Sequence, residues 1–135
     1  MTKLIRESMD RHDSFRLLSA DEKDGLAALA VSLDLEPNAV FVEANQPLPG
    51  FVCVETGMIE LMMAAKDGTP MRVDTLHAGS VLGRPIPDQK SSSKSSFQTS
   101  DKPTRIQLLD GATVEIYLDD HKKTRERIEQ AHEIQ

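Results

Sequence analysis

The residues with the most evident chemistry lie in a basic, serine-rich stretch of the second half of the chain. Within residues 84–109, five bases face two acids: Arg84, Lys90, Lys94, Lys102 and Arg105 against Asp88 and Asp101. Five of the six residues 91–96 are serines. Cations beside hydroxyl donors suit an anion such as a phosphate. The same composition also describes a solvated surface loop, so both interpretations stay open.

The other reactive side chains form no catalytic or metal-binding pattern. Among the four histidines only His77 falls in the predicted strand region, before a turn glycine, where a surface position is expected. Cys53 lies in an apolar run, which predicts an inert, buried thiol. Phosphate-binding loops, dinucleotide fingerprints and nucleophile elbows are absent from the sequence. We therefore predict no catalytic residue, no metal site and no cofactor.

Four methionines cluster in the predicted strand region. They are Met58, Met62, Met63 and Met71. The chain has no Trp, so these flexible side chains are predicted to fill the core. An adaptable binding surface is the alternative interpretation.

Length and charge narrow the class of protein. The chain has 135 residues and a formal net charge of -6, with hydrophobic residues at 39%. These values predict a single domain over residues 1–135 and disfavour a nucleic-acid partner, which a basic excess would attract. The single cysteine excludes an internal disulfide and fits a reducing compartment. No secretory signal and no membrane-length apolar run is present, so we expect a cytoplasmic protein without a membrane partner.

Helical spacing is seen at both ends of the chain. Ser19 with Glu22 forms a capping-box pattern, and Leu26, Leu29, Ala30 and Leu33 follow at helical spacing. A helix over 19–34 is therefore predicted, within an N-terminal helical part at 13–34. Residues 110–135 are predicted to be mainly helical. Ile128 is the one strongly apolar residue of the last helix, which favours packing back on the roll over a dimer seam.

The residues between these helices are predicted to form short strands. Apolar runs or alternation recur between turn residues, and the Asp67-Gly68 pair indicates a hairpin. Strands at this spacing predict a sandwich or barrel over 38–109. The serine-rich residues offer no apolar anchor, so residues 86–96 are predicted to be mobile without a ligand.

The order of these elements resembles the cyclic-nucleotide-binding domain family, of the catabolite-activator sensor type. Three fragments carry the resemblance: 15–19, similar to a family helix entry; 51–61, similar to a glycine hairpin; and 76–83, similar to the entry into the phosphate cassette. The match covers roughly residues 13–130. It implies a mainly β fold with flanking helices: a β-roll, also described as a double-stranded β-helix or jelly roll.

The resemblance also implies which residues form the ligand site. The family has a Glu after the glycine matched by Gly83, and this Glu accepts from the ribose hydroxyl; here Arg84 takes its place. Lys94, Ser95 and Ser96 stand at the family's phosphate-binding Arg and small residues. The predicted ligand-binding residues are therefore Gly83, Arg84, Lys94, Ser95 and Ser96. Lys offers a point charge where Arg offers a bidentate fork, so phosphate recognition is expected to weaken.

These substitutions predict a non-catalytic regulatory module that does not bind cAMP or cGMP in the usual way. Three alternatives stay open: a sensor of a cyclic or more anionic nucleotide, a ligand-free interaction scaffold, and a cupin-like enzyme, which the missing metal ligands disfavour. The expected partners are a small anionic ligand or nucleotide, and a protein partner or second copy through the C-terminal helix.

Overall fold

Eight strands and four α-helices make up the structure, a computed structural model that describes residues 3–86 and 94–133. The helices are α1 (Lys3–Met9), α2 (Ala20–Ala27), α3 (Gly111–Asp119) and α4 (Lys122–Glu133), with a 3-10 turn at Asp13–Phe15. The strands are β1 (Val31–Leu35), β2 (Val40–Val42), β3 (Gly50–Thr56), β4 (Ile59–Ala64), β5 (Pro70–Leu76), β6 (Val81–Gly83), β7 (Ser96–Thr99) and β8 (Thr104–Asp110).

The strands form two antiparallel four-stranded sheets. The first sheet has the order β1-β8-β3-β6 and the second has the order β2-β7-β4-β5. Successive strands therefore alternate between the sheets, except at the β4–β5 hairpin, as expected for a roll. The predicted β-roll is confirmed. The predicted Asp67-Gly68 hairpin is confirmed too: β4 and β5 pair across it, and the Asp67 side chain accepts from the Thr69 amide at 3.0 Å.

A layer of helices covers the outer face of the first sheet. Side chains alternate between the faces of a strand, and Phe51, Cys53 and Leu109 point to the helical side. There they join one buried cluster with residues of all four helices and the 3-10 turn. Its members from the helices and the 3-10 turn are Ile5, Met9, Phe15, Leu26, Ala27, Val114, Leu118 and Ile128, and Leu18 joins them from the segment before α2.

A second cluster fills the space between the two sheets. The intervening residues of β3 and β8, among them Val52, Val54 and Ile106, meet Ile59 and Phe97 of the second sheet. Val42, Leu82 and Leu108 complete its buried part. The first sheet is therefore buried on both faces at β3 and β8.

The predicted helix over 19–34 is wrong beyond Ala27. The capping box at Ser19 and Glu22 forms as predicted, but α2 ends at Ala27 and β1 begins at Val31. Leu33 fits a helical stripe and also fits the alternation of Val31 and Leu35. Pairing with β8 favours the strand over the helix, because β1 and β8 share a continuous register of five residues. The roll therefore begins at residue 31 rather than 38, and the N-terminal helical part ends earlier than 34.

The four methionines of the strand region do not fill the core, so this prediction is wrong. Met58, Met62 and Met63 are half-buried, and Met71 is 48% exposed. Leu, Val, Ile and Phe fill the space between the sheets instead. The sole methionine among the buried hydrophobic residues of the described chain is Met9, in α1.

Helix α4 is held by the helical layer of its own chain. Ile128 and Ala131 are fully buried, and the helix packs on the 3-10 turn and on α3. Ile128 joins the buried cluster that includes Phe51 and Leu109 of the roll, as the prediction of packing on the roll requires. A polar clasp reinforces the contact, because Glu22 of α2 accepts a hydrogen bond from the Thr124 hydroxyl at 2.6 Å and pairs with Arg127.

The Glu22 clasp predicts a pH-dependent contribution to stability. Burial raises the pKa of Glu22, but hydrogen bonds from the Ser19 amide, Thr124 and Arg127 outweigh burial and lower the pKa from 4.5 to about 2. A depressed folded-state pKa stabilises the protein above the unfolded value, and this stability is lost as the pH falls through about 2. We expect Glu22→Gln to cost about 1–2 kcal/mol at pH 7.

Urea unfolding of Glu22→Gln and the wild type from pH 7 down to pH 2 measures this contribution. The difference in the free energy of unfolding between the two proteins should become smaller below pH 4.5. There the wild type loses the stabilisation by Glu22 that the variant already lacks. Glu126→Gln, an exposed exchange on α4, is the matched control and should stay near the wild type. A gap that does not change with pH would rule out the clasp as its source.

Gly83 generates a second stability prediction. Its φ is +83°, and a Cβ at this position would lie 1.8 Å from the Gly50 carbonyl oxygen. Gly68 has nearly the same φ, +85°, with nothing within 4 Å of its Cβ position. Gly83→Ala should therefore cost about 3 kcal/mol or more, and Gly68→Ala about 1 kcal/mol, the conformational cost alone. Urea unfolding compares them directly, and equal losses would contradict the steric argument.

Candidate functional site

The segment that the resemblance assigns to ligand binding connects the two sheets. We call residues 83–96 the cassette. Gly83 ends β6 in the first sheet and pairs with Phe51, whereas Ser96 begins β7 in the second sheet and pairs with Met62. Residues 87–93 lie outside the described residues. The predicted mobility of 86–96 falls mostly on them and stays a prediction.

The first end of the cassette is shaped by a close backbone approach. Gly83 is half-buried against the Gly50 carbonyl group, a contact that leaves no room for a side chain. Arg84 follows and is exposed, and the next residue, Pro85, is buried. The Arg84 side chain, which the resemblance places at the family's ribose acceptor, is therefore exposed at the end of β6.

The other end of the cassette alternates between exposed and buried residues. Lys94 is exposed, Ser95 is buried and Ser96 is half-buried. Phe97 follows in β7 and joins the cluster between the sheets. The five predicted site residues thus fall into two groups, Gly83–Arg84 on the first sheet and Lys94–Ser96 on the second.

An apolar pair in the second sheet was not among the predicted site residues. Met62 pairs with Ser96, and the next residue along β4, Met63, pairs with Met71 of β5. Ile59, Leu61 and Met63 alternate along β4, so Met63 shares the inner face with the core residue Ile59, whereas Met62 and Ser96 lie on the other face. The Met71 side chain, which is 48% exposed, therefore adds apolar surface on the inner side of the second sheet.

The helical layer lies on the far side of the first sheet from this surface. Its buried residues contact the outer face of β3, through Phe51 and Cys53, whereas Met63 and Met71 belong to the second sheet. Helix α4 makes its extensive contacts with the 3-10 turn and α3. Neither methionine belongs to that buried cluster, and Met71 is 48% exposed.

Cys53 is not placed for covalent chemistry. The residue is fully buried in β3, and its sulfur lies 3.2 Å from the Ser8 hydroxyl oxygen. Burial raises the pKa of the thiol, which disfavours the nucleophilic thiolate. The prediction of a buried thiol is confirmed.

Other chemistry is sparse in the described part of the chain. His77 is exposed, as predicted, at the turn after β5. Within residues 3–86 and 94–133, no group of three His, Cys, Asp or Glu side chains is placed to hold a metal ion. No helix over the same residues has the length and apolar character needed to cross a membrane.

Comparison with solved structures shows what this architecture is. The N-terminal domain of a transcriptional regulator from Streptomyces coelicolor A3(2) superposes with a TM-score of 0.71 at 14% identity, covering 92% of this chain and 86% of that one. A cyclic nucleotide-binding domain from Methylobacillus flagellatus gives a TM-score of 0.69 at 14% identity, over 96% of this chain and 72% of that one. The fold is that of a cyclic-nucleotide-binding domain.

More distant matches to this cyclic-nucleotide-binding fold include kinase regulatory subunits. One is the regulatory subunit of a cAMP-independent protein kinase A from Trypanosoma cruzi bound to guanosine, with a TM-score of 0.62 and 14% identity. It is matched over 93% of this chain and 45% of its own length. No protein-family model and no curated protein matches the sequence. At these identities the comparisons show the fold.

The exposure of Met71 predicts a difference in reactivity between methionines. Limited oxidation by hydrogen peroxide should convert Met71 to its sulfoxide well before Met9, because Met71 is 48% exposed and Met9 is fully buried in α1. Mass spectrometry of proteolytic peptides measures both rates in one sample. Equal rates in the folded protein would show that the apolar pair is not open as described.

Proposed function

We propose that this protein is a non-catalytic regulatory module whose cassette prefers a nucleotide-like ligand with two or more negative charges over cAMP or cGMP. The observation that carries the proposal is the pair of exposed cations, Arg84 and Lys94, at the two ends of the cassette. The described cassette residues, 83–86 and 94–96, include no carboxylate that could accept from a ribose hydroxyl.

Charge balance is the first argument. A cyclic mononucleotide carries one negative charge, and two cations facing it leave one charge uncompensated. A ligand with two or more negative charges compensates both. Arg84 also presents donors where a ribose hydroxyl needs an acceptor, and an unmade hydrogen bond costs about 1–3 kcal/mol in a closed site.

The apolar pair is the second argument. Met63 pairs with Met71 on the inner side of the second sheet, and Met71 is 48% exposed. Methionine side chains adapt to flat apolar groups, and their sulfur atoms contact aromatic rings favourably. A nucleobase fits this surface better than a small inorganic anion does.

One solved structure supports the nucleoside part of the proposed ligand. A fold relative from Trypanosoma cruzi is the regulatory subunit of a cAMP-independent protein kinase A bound to guanosine. Guanosine has no phosphate group, so this fold can hold a nucleoside without the cyclic phosphate. Two of the three compared proteins are regulators in name, which supports a regulatory role over an enzymatic one.

Isothermal calorimetry with cAMP, cGMP and linear nucleotide diphosphates tests the proposal. We expect cAMP and cGMP to bind with dissociation constants well above about 1 μM, which corresponds to about 8 kcal/mol. The linear diphosphates should bind at least about tenfold more tightly, a difference of about 1.4 kcal/mol. The double variant Arg84→Glu, Lys94→Arg should reverse this order by restoring an acceptor and a bidentate cation.

Lys122→Glu is the matched control, because it also reverses an exposed cation but lies on α4. It should leave both affinities unchanged. Micromolar binding of cAMP to the unmodified protein would contradict the proposal. So would a double variant that remains folded and gains no affinity for cyclic mononucleotides.

A further inference from the structure

Strand β1 is an unusual edge for a small β-roll. In the described part of the chain it pairs with β8 alone, at the end of the first sheet. Four of its five residues are exposed, and the register with β8 runs without interruption from Val31 to Leu35. The opposite side of β1 therefore presents backbone N–H and C=O groups in a regular extended arrangement.

The other edge strands carry features that discourage pairing. Strands β2 and β6 have three residues each, and the register of β2 shifts along its length. Strand β5 begins with Pro70, has a register shift, and carries the charged Arg72. Short strands, proline, bulges and charges are the usual protections of sheet edges. Strand β1 has no proline, glycine or bulge, and its one charged residue is the acid Asp34.

The two faces of β1 differ in character. Val31 and Leu33 lie opposite the core residues Leu108 and Ile106 of β8, so they point to the inner side of the roll. They are nevertheless 50% and 37% exposed. A strand added beside β1 would cover these side chains with its own residues on the same face.

The other face of β1 leads into an acidic cleft. Asp34, whose side chain is 82% exposed, lines a cleft of about 560 Å³ together with Glu36 and Glu55. The one base of its lining is Arg105, which contacts Glu55 at 3.1 Å and Asp34 at 3.8 Å. Three carboxylates against one guanidinium leave an excess of two negative charges. The cleft is large enough for a lysine or arginine side chain.

We propose that β1 is a docking edge for an extended segment of a partner protein in which apolar and basic residues alternate. The segment adds a fifth strand to the first sheet. Its apolar side chains cover Val31 and Leu33 on one face, and a basic side chain enters the cleft at Asp34 and Glu36 on the other. The apolar and basic residues of the segment must alternate, because one face of β1 is apolar and the other is acidic.

A second copy of this chain does not satisfy these demands. Pairing of β1 with its own counterpart would bring two copies of Asp34 and Glu36 together, with the excess acid on both sides. Like charges at close range oppose such pairing. The docking edge is also independent of the cassette, so it stands whether or not the proposed ligand binds there.

Fluorescence anisotropy with a labelled seven-residue peptide of alternating valine and lysine tests the proposal. We expect saturable binding that weakens as salt is raised. A peptide with glutamate in place of each lysine should not bind. Leu33→Lys places a charge on the edge and should weaken binding about tenfold or more, the scale of losing a central contact. Asp34→Asn should weaken binding and reduce its salt dependence.

Val73→Lys on β5 is the matched control, because Val73 is a 44% exposed valine on the edge of the other sheet. It should bind the peptide as the wild type does, and so should the double variant Arg84→Glu, Lys94→Arg. Thermal unfolding verifies that each variant is folded. Equal binding of the lysine and glutamate peptides, equal loss in Val73→Lys and Leu33→Lys, or no binding to the wild type would overturn the proposal. Dimerisation of the free protein that Leu33→Lys abolishes would overturn it as well.

Discussion

Burial of β3 and β8 on both faces is the constraint on which the rest of the structure depends. One set of their side chains meets the helical layer, and the alternate set meets the second sheet. Gln107 of β8 is the polar exception on the helical side. The side-chain oxygen Oε1 of Gln107 accepts a hydrogen bond from the Ile5 backbone amide at 2.9 Å. Its side-chain nitrogen Nε2 donates to the Glu55 carboxylate at 2.8 Å. A buried amide satisfied in this way fixes where α1 begins over the sheet.

The location of the cassette follows from backbone pairing rather than from its own side chains. The pairing of β3 with β6 places Gly83, and the pairing of β4 with β7 places Ser96. The contact between Gly83 and the Gly50 carbonyl belongs to the framework in the same way. The framework therefore fixes Gly83 and Ser96 through backbone pairing, which does not involve the exposed Arg84 side chain.

Local signals predicted the parts of the fold that local interactions decide. The capping box at Ser19 and the turn at Asp67-Gly68 form as the sequence indicates, since each is made within a few residues. The extent of α2 was not predictable, because Leu33 fits both helical and strand periodicity and a strand about 70 residues away decides between them. The cassette glycine was found from a motif. The Met63–Met71 pair depends on the register of β4 and β5, which a single sequence does not specify.

The pairing pattern also determines how the chain can fold. Strand β1 has its partner in β8, and the 3-10 turn at Asp13–Phe15 has its partner in α4. Segments near the start of the chain therefore pair with segments near its end, and the contact order is high. Such topologies fold slowly, because distant segments must meet before their contacts compensate the loss of chain entropy. During synthesis on the ribosome, β1 lacks its paired strand until β8 has emerged. A chaperone that binds extended apolar segments is therefore expected to bind this strand early in synthesis.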